Sequence, residues 1–202
     1  MSPRPDVSEK RKNQILDAAM SVFARLGFNH ARMDDIAREA GLSKGSLYWY
    51  FDSKDNIIIN ILDNLIGREI DLMKEAIDSD LPAKERLLSF TELVIADLER
   101  MKPLMPILFE FWSLLARRKI VQKTVNRYYH SYMAAIIPII EQGIKTGEFR
   151  SVDSQKAGIA LGTIFEGTIL LWAYAPEMVS LGENIDYSVR LLIEGLENNA
   201  KE

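Results

Sequence analysis

The sequence predicts an all-α protein of about nine helices. Apolar residues recur at helical spacing almost throughout, and no convincing run shows the alternation typical of β-strands. Glycines and prolines stand where these helical patterns stop, which indicates the helix ends. With 202 residues, the chain is long enough to bury one sizeable core, or to join a small domain to a larger one.

The first three predicted helices are closely spaced. The first begins at Ser8 and ends at Gly27. The second covers residues 33–40 and carries two aspartates in its first turn, where the helix dipole favours carboxylates. The third covers residues 43–51. These elements and the residues up to 54 form the first predicted domain, and residues 55–202 form the second.

Longer helices are predicted in the second domain. Ser53 is a candidate N-cap for a long fourth helix. Pro82 begins a fifth helix of about twenty residues, and the prolines of the MKPLMP stretch separate it from a sixth that contains Trp112. The last three predicted helices cover 119–146 with a kink at Pro138, run from the cap Asp153 to just before Pro176, and cover 185–198.

Composition excludes several kinds of site. The chain has no cysteine and only two histidines, so we expect no disulfide, no thiol chemistry, no metal site and no cofactor. The formal net charge of -4 is uneven, because residues 1–54 carry +2 and residues 55–202 carry -6. The N-terminal part is therefore the one expected to attract an anion. The first residues have no apolar segment typical of a signal peptide, which favours the cytoplasm.

One apolar stretch, residues 157–175, is nearly long enough to cross a bilayer. It contains Glu166 near its middle, and it lacks a basic flank on one side to orient it. We interpret it as a buried helix of a bundle or of a subunit interface, with no membrane partner.

The stretch GLSKG, residues 41–45, fits two unrelated functions. As G-x-S-x-G it matches the sharp turn that presents a nucleophilic serine in many hydrolases. That turn follows a strand, however, and the residues before it here are helical. As a helix start, Ser43 accepts a hydrogen bond from the backbone N–H of Ser46, while Leu42 and Leu47 form a hydrophobic staple. We therefore predict a structural cap.

The third helix has the chemistry of a recognition helix. At 100° per residue, Leu47 and Phe51 lie on the buried side, and Gly45, Ser46 and Trp49 lie opposite. Small residues at the start of this face permit close approach to bases, and the neighbouring hydroxyls and ammonium can meet phosphates.

These residues lie within ILDAAMSVFARLGFNHARMDDIAREAGLSKGSLYWYFDSKDNI, residues 15–57, which closely resembles the helix-turn-helix domain of TetR/AcrR-type bacterial transcriptional regulators. The similarity covers about 45 residues and includes Gly27-Phe28, the I-A-x-x-A-G that ends at Gly41, and Ser53-Lys54. This sequence departs from the family at Ala31-Arg32, where the family has Thr or Ser, so we expect Arg32 either to contact phosphate or to be solvated. The resemblance implies that Lys54 contacts phosphate at the start of the fourth helix and that six residues around the third helix touch DNA: Lys44, Gly45, Ser46, Tyr48, Trp49 and Tyr50. With Arg32 and Ser43, these are the predicted DNA-binding residues.

The resemblance implies that the second domain binds a ligand and forms dimers. Large aromatic and methionine side chains are concentrated there, which favours an apolar cavity. Glu166 either binds a cationic ligand or makes a structural bond. The predicted ligand-binding residues are Met105, Phe109, Trp112, Tyr129, Tyr132, Phe165, Glu166 and Trp172.

The predicted dimer interface combines the last two helices with their two-fold copies. Gly158 and Gly162 are four residues apart and lack side chains, so a second backbone can approach them. The predicted interface residues are Gly158, Gly162, Gly167, Leu191, Leu192 and Leu196.

Together these features predict a transcriptional repressor, not an enzyme, that binds a palindromic DNA operator as a homodimer. A small apolar or amphipathic effector is expected to release it. The alternatives are a DNA-binding protein without an effector and a helical enzyme that uses the bundle cavity.

Overall fold

The computed structural model describes residues 5–64, 80–115 and 117–198, and these form an all-α fold. Its helices are α1 (Pro5–His30), α2 (Met33–Glu39), α3 (Lys44–Tyr50), α4 (from 54, described to 64), α5 (Ala83–Met101), α6 (Met105–Leu115), α7 (Lys119–Lys145), α8 (Ser154–Tyr174) and α9 (Leu181–Leu196). A 3₁₀ turn, Lys102–Leu104, joins α5 to α6 at the predicted proline break.

Most helix ends agree with the sequence. Ser53 accepts a hydrogen bond from the backbone N–H of Asn56 at 3.1 Å, and Asp153 accepts one from Lys156 at 3.1 Å. Gly27 interrupts α1 with φ 71°, a backbone conformation that glycine adopts without strain. The main differences are earlier starts for α1 and α9.

The helices form two compact units. The first contains residues 1–67 and 103–126, and the second contains residues 68–102 and 127–202. The predicted boundary at residue 54 therefore differs from the division by contacts. The reason is that α6 and the start of α7 complete the N-terminal core, where Leu114 and Val121 are buried together with Phe23, Ile36 and Leu47.

The second unit contains α5, most of α7, α8 and α9. Glu148, in the turn between α7 and α8, accepts hydrogen bonds from the backbone N–H groups of Ala83 (2.8 Å) and Lys84 (2.6 Å) at the start of α5. Its carboxylate therefore caps α5 from a distant part of the chain. Phe90 lies in the core, with ring centroids 6.4 Å from Tyr132 and 6.0 Å from Phe165.

Among the described helices, α8 alone is long and apolar enough to cross a membrane. Only 28% of its apolar window is buried within the chain. The expectation of full burial is therefore not met by one copy of the chain, and much of α8 presents apolar side chains to solvent.

Candidate DNA-binding surface and C-terminal site

The turn between α2 and α3 is held by local hydrogen bonds. Gly41 has φ 64°, and the backbone N–H of Leu42 donates to the carbonyl of Ala37 at 2.9 Å. Ser43 then caps α3, because its hydroxyl accepts from the backbone N–H of Ser46 at 3.1 Å. The structural interpretation of Ser43 is confirmed. A helix precedes it instead of the strand that a nucleophile elbow requires.

The two sides of α3 differ as the sequence predicts. Leu47 is fully buried, whereas Tyr48 is 44% exposed and Trp49 is 60% exposed. Gly45 and Ser46 are exposed as well, and a Cβ atom at Gly45 would meet nothing within 4 Å. Tyr50 is half-buried, and its ring packs edge-on against Trp49 with centroids 4.6 Å apart. The exposed indole is therefore supported by a ring anchored in the core.

Lys44 is exposed, but its ammonium has a partner. Its Nζ lies 2.8 Å from a carboxylate oxygen of Asp34 on α2, and this interaction raises the pKa of Lys44. An exposed pair of this kind contributes little to folding, so phosphate can still compete for the ammonium. The acidic partner ten residues away has no signal in the sequence that would identify it.

Arg32 stands at the N-terminus of α2. Its backbone N–H donates to the Asp35 carboxylate at 3.0 Å, which closes one half of a capping box. An arginine side chain has no acceptor to close the other half. The side chain is exposed and makes no hydrogen bond or ion pair within the described ranges, so it remains available to an anion.

Lys54 is used differently from the prediction. Its ammonium donates to the backbone carbonyls of Phe28 (2.6 Å) and Ala31 (2.7 Å), with a longer contact to Asn29 (3.4 Å). Burial lowers the pKa of Lys54, and the nearby Arg118 guanidinium adds to this effect. The three donors of the ammonium are directed at the end of α1, so a phosphate contact by Lys54 is not what the structure favours.

The eight predicted ligand-binding residues do not all lie in one unit. Met105, Phe109 and Trp112 are on α6, which belongs to the same unit as α1, α2 and α3. The other five belong to the second unit and are Tyr129, Tyr132, Phe165, Glu166 and Trp172. Phe90, at the centre of the second unit's ring cluster, was not predicted, since its spacing marks it only as an apolar helix position.

The surroundings of Tyr132 and Glu166 raise the pKa of both side chains. Burial raises the pKa of the Tyr132 hydroxyl, and Tyr129 and the Glu166 carboxylate raise it further. The Tyr132 hydroxyl donates to the carbonyl of Gly158 at 3.2 Å. Partial burial also raises the pKa of Glu166. Its side chain keeps contact with solvent and has no hydrogen bond or ion pair within the described residues.

The six predicted dimer-interface residues differ in their surroundings within one chain. Cβ atoms at Gly158 and Gly162 would lie 3.3 Å from Met133 and 3.2 Å from Tyr132 of the same chain, so these glycines let α8 approach α7 closely. Leu196 is buried within the second unit. A Cβ atom at Gly167 would meet nothing within 4 Å, and Leu191 is exposed. Leu192 is half-buried.

Several large apolar side chains of α8 and α9 are exposed, and we call six of them the exposed apolar patch. Leu161, Phe165 and Thr168 lie on the buried side of α8, so the opposite side of the helix faces solvent. We define the patch as Ile159, Leu170, Leu171, Tyr174, Tyr187 and Leu191.

Comparison with known proteins gives two family matches. The model described as bacterial regulatory proteins, tetR family, matches residues 15–61. The model described as BetI-type transcriptional repressor, C-terminal, matches residues 83–192. The first match contains the recognition helix, and the second covers more than half of the chain.

Individual proteins are similar over most of their length. The fatty acid metabolism regulator protein of Bacillus subtilis (strain 168) is 28% identical over 190 residues, which cover 92% of this chain and 95% of that protein. The structure of FadR from Bacillus subtilis in complex with stearoyl-CoA has a TM-score of 0.70 at 25% identity, covering 92% and 99% of the two chains. A TetR transcription regulator from Haloarcula marismortui ATCC 43049 shares the fold, with a TM-score of 0.79 at 19% identity and coverage of 94% and 99%.

Proposed function

Because this chain belongs to the tetR family of bacterial regulatory proteins, we propose that it represses transcription by binding a palindromic DNA operator as a homodimer. An apolar or amphipathic effector bound in the second unit releases it. The protein acts in the cytoplasm, where the DNA is, and it regulates instead of catalysing. The observation that carries the proposal is the exposed, well-capped face of α3, which contains Gly45, Ser46, Tyr48 and Trp49.

This face suits the major groove. Residues without bulk at its N-terminal end allow the backbone to approach base edges, and the indole and phenol reach further along the groove. Arg32 and Lys44 stand at the N-termini of α2 and α3, where cations can meet phosphates. Phosphate contacts position the protein, and contacts from the α3 face provide the sequence preference.

A second copy of the chain is the proposed cover for the exposed apolar patch. Six large apolar side chains on two adjacent helices form a surface that a soluble monomer rarely leaves open. Pairing α8 and α9 with their two-fold copies buries the patch and gives the molecule two recognition helices. Two such helices read half-sites about 34 Å apart or a multiple of that distance, which requires a palindrome.

The effector proposal rests on the second unit and its relatives. Tyr129, Tyr132 and Phe165 supply apolar and hydroxyl-bearing surface. The FadR structure from Bacillus subtilis holds stearoyl-CoA, which supports a long acyl chain as the first compound to test. To induce release, the effector must bind the DNA-free conformation more tightly than the DNA-bound one.

Selection of binding sites from a random duplex library, with full-length protein, tests DNA recognition. The expected product is one palindrome, bound tightly by a dimer and poorly after its half-sites are scrambled. Equal binding to all sequences would support a DNA-binding protein without sequence preference and contradict the proposal.

The effector is tested on that selected duplex with stearoyl-CoA, stearate, coenzyme A alone and choline. An effector present at a hundred times its dissociation constant stabilises the folded protein by about 2.7 kcal/mol, which raises the melting temperature. The expected result is stabilisation and loss of duplex binding with an acyl compound. Stabilisation by choline alone, lost in Glu166→Gln, would replace the apolar class by a cationic one. A compound that raises the melting temperature but leaves DNA binding unchanged would contradict the release mechanism.

A further inference from the structure

Phe28 lies between two cations in the first unit. Its ring is fully buried, just after the break in α1 at Gly27. Lys54 Nζ is 4.7 Å from the ring centroid, and Arg118 Cζ is 5.6 Å from it. Both distances are within the range of cation–π attraction. The ring is therefore held by one residue from the start of α4 and by another from the segment between α6 and α7.

Arg118 also contacts α4 directly. Its Nη1 lies 3.4 Å from a carboxylate oxygen of Asp55, which is 63 residues earlier in the chain. The backbone N–H of Arg118 donates to Leu114 at 2.8 Å, and its carbonyl accepts from Gln122 at 3.1 Å. The residue is thus fixed at both sides, at the point where α6 ends and α7 begins.

We propose that Arg118 is a positioning residue for operator binding, because its guanidinium holds the ring of Phe28 and the carboxylate of Asp55 at the base of the DNA-binding helices. This role rests on the proposed function. Arg118 lies outside the part of the chain that matches the tetR family model, residues 15–61.

Few residues separate the contacts of Arg118 from the residues proposed to face DNA. Lys54, on the same ring, binds the carbonyls of Phe28 and Ala31, and Arg32 is the next residue after Ala31. Arg118 therefore helps to fix the corner from which α2 begins. A guanidinium suits this position because it can attract a ring and donate to a carboxylate at the same time, which the point charge of a lysine does not reproduce.

The test uses full-length protein and the duplex that wild type selects from a random library. Arg118→Ala is expected to bind this duplex roughly tenfold more weakly, with a smaller loss on a scrambled duplex of the same length. Its salt dependence should equal that of wild type, because Arg118 positions the helices and does not bind phosphate itself. Arg118→Lys should restore only part of the affinity.

Arg117→Ala is the matched control. Arg117 is the adjacent residue, it is exposed, and its side chain has no hydrogen bond or ion pair within the described residues. This variant should bind both duplexes as wild type does. All proteins are compared well below their melting temperatures, with circular dichroism to show that each is folded.

Asp55→Asn tests the contact between Arg118 and Asp55 from its other side, because it removes the negative charge. Asp55→Asn and Arg118→Ala disrupt the same contact, so their losses should not add. The double variant should bind the operator little more weakly than either single variant. Fully additive losses would overturn the proposal, as would Arg118→Ala binding like Arg117→Ala, or a salt slope reduced by about one unit. If wild type selects no duplex, the proposed function fails and this role with it. If wild type selects a palindrome, only the variants decide the role of Arg118.

Discussion

Lys44 Nζ and a carboxylate oxygen of Asp34 lie 2.8 Å apart, which links the first turn of α2 to the first residue of α3. Both side chains are more than half exposed, at 63% and 56%. The carboxylate has two opposing effects on DNA binding. It holds the ammonium near the start of the recognition helix, and it competes with phosphate for that ammonium while repelling the DNA backbone.

Asp34→Asn should therefore strengthen DNA binding several-fold on every duplex at low salt, and the gain should fade as salt screens the charge. Folding stability should change little, as expected for an exposed pair. Fluorescence anisotropy over a salt series measures the effect. Asp186→Asn, which removes the same charge from α9 in the second unit, is the control. An equal gain in both variants would show that net charge alone is responsible.

Lys44→Ala and Lys54→Ala should differ in a way that separates phosphate binding from structural support. The first should flatten the plot of log affinity against log salt by roughly one unit, because it removes one phosphate contact. The second should leave that slope unchanged and lower the free energy of unfolding by about 2 kcal/mol, because charged hydrogen bonds to Phe28 and Ala31 are lost. A slope reduced by Lys54→Ala would restore the phosphate role that the sequence predicted.

Trp49→Ala should change which operators are preferred more than it changes affinity for scrambled DNA. The indole is exposed, and the proposed function places it in the groove, whereas its loss removes no charge. Competition between the selected palindrome and its single-base variants measures this preference. Unchanged ranking of all variants would show that the indole does not contact bases.

Leu171→Arg should convert the proposed dimer to a monomer, because it puts a charge into the exposed apolar patch. The monomer should lose operator binding although the first unit is unaltered. Light scattering gives the mass. Ile120→Arg, at an exposed apolar position of α7 outside the patch, is the control and should remain a dimer.

Gly162→Ala provides the complementary result. Its new Cβ would lie 3.2 Å from Tyr132 of the same chain. The expected cost is about 1 kcal/mol of folding stability, and the number of chains per molecule should not change. A stable monomer in this variant would return Gly162 to the interface between copies.

The sequence predicted best where a feature depends on neighbouring residues. The cap by Ser43, the buried Leu47 and the exposed Trp49 follow from local hydrogen bonding and helical spacing. The hydrogen bonds of Lys54 were not predicted, because its partners are carbonyls about 25 residues earlier, which no local pattern specifies. Gly158 and Gly162 were predicted to allow close helix packing, and they do so against α7, because spacing identifies a face and not its partner.

The first unit consists of two separate segments of the chain, and this limits how its N-terminal helices can be joined to another protein. Leu114 and Val121, from the second segment, are buried in the same core as the recognition domain. A chimera that grafts only residues 1–54 onto another sensor would lack both side chains and leave apolar surface uncovered. A functional exchange of operator specificity therefore has to transplant residues 103–126 along with the N-terminal helices, or substitute only the exposed residues of α3.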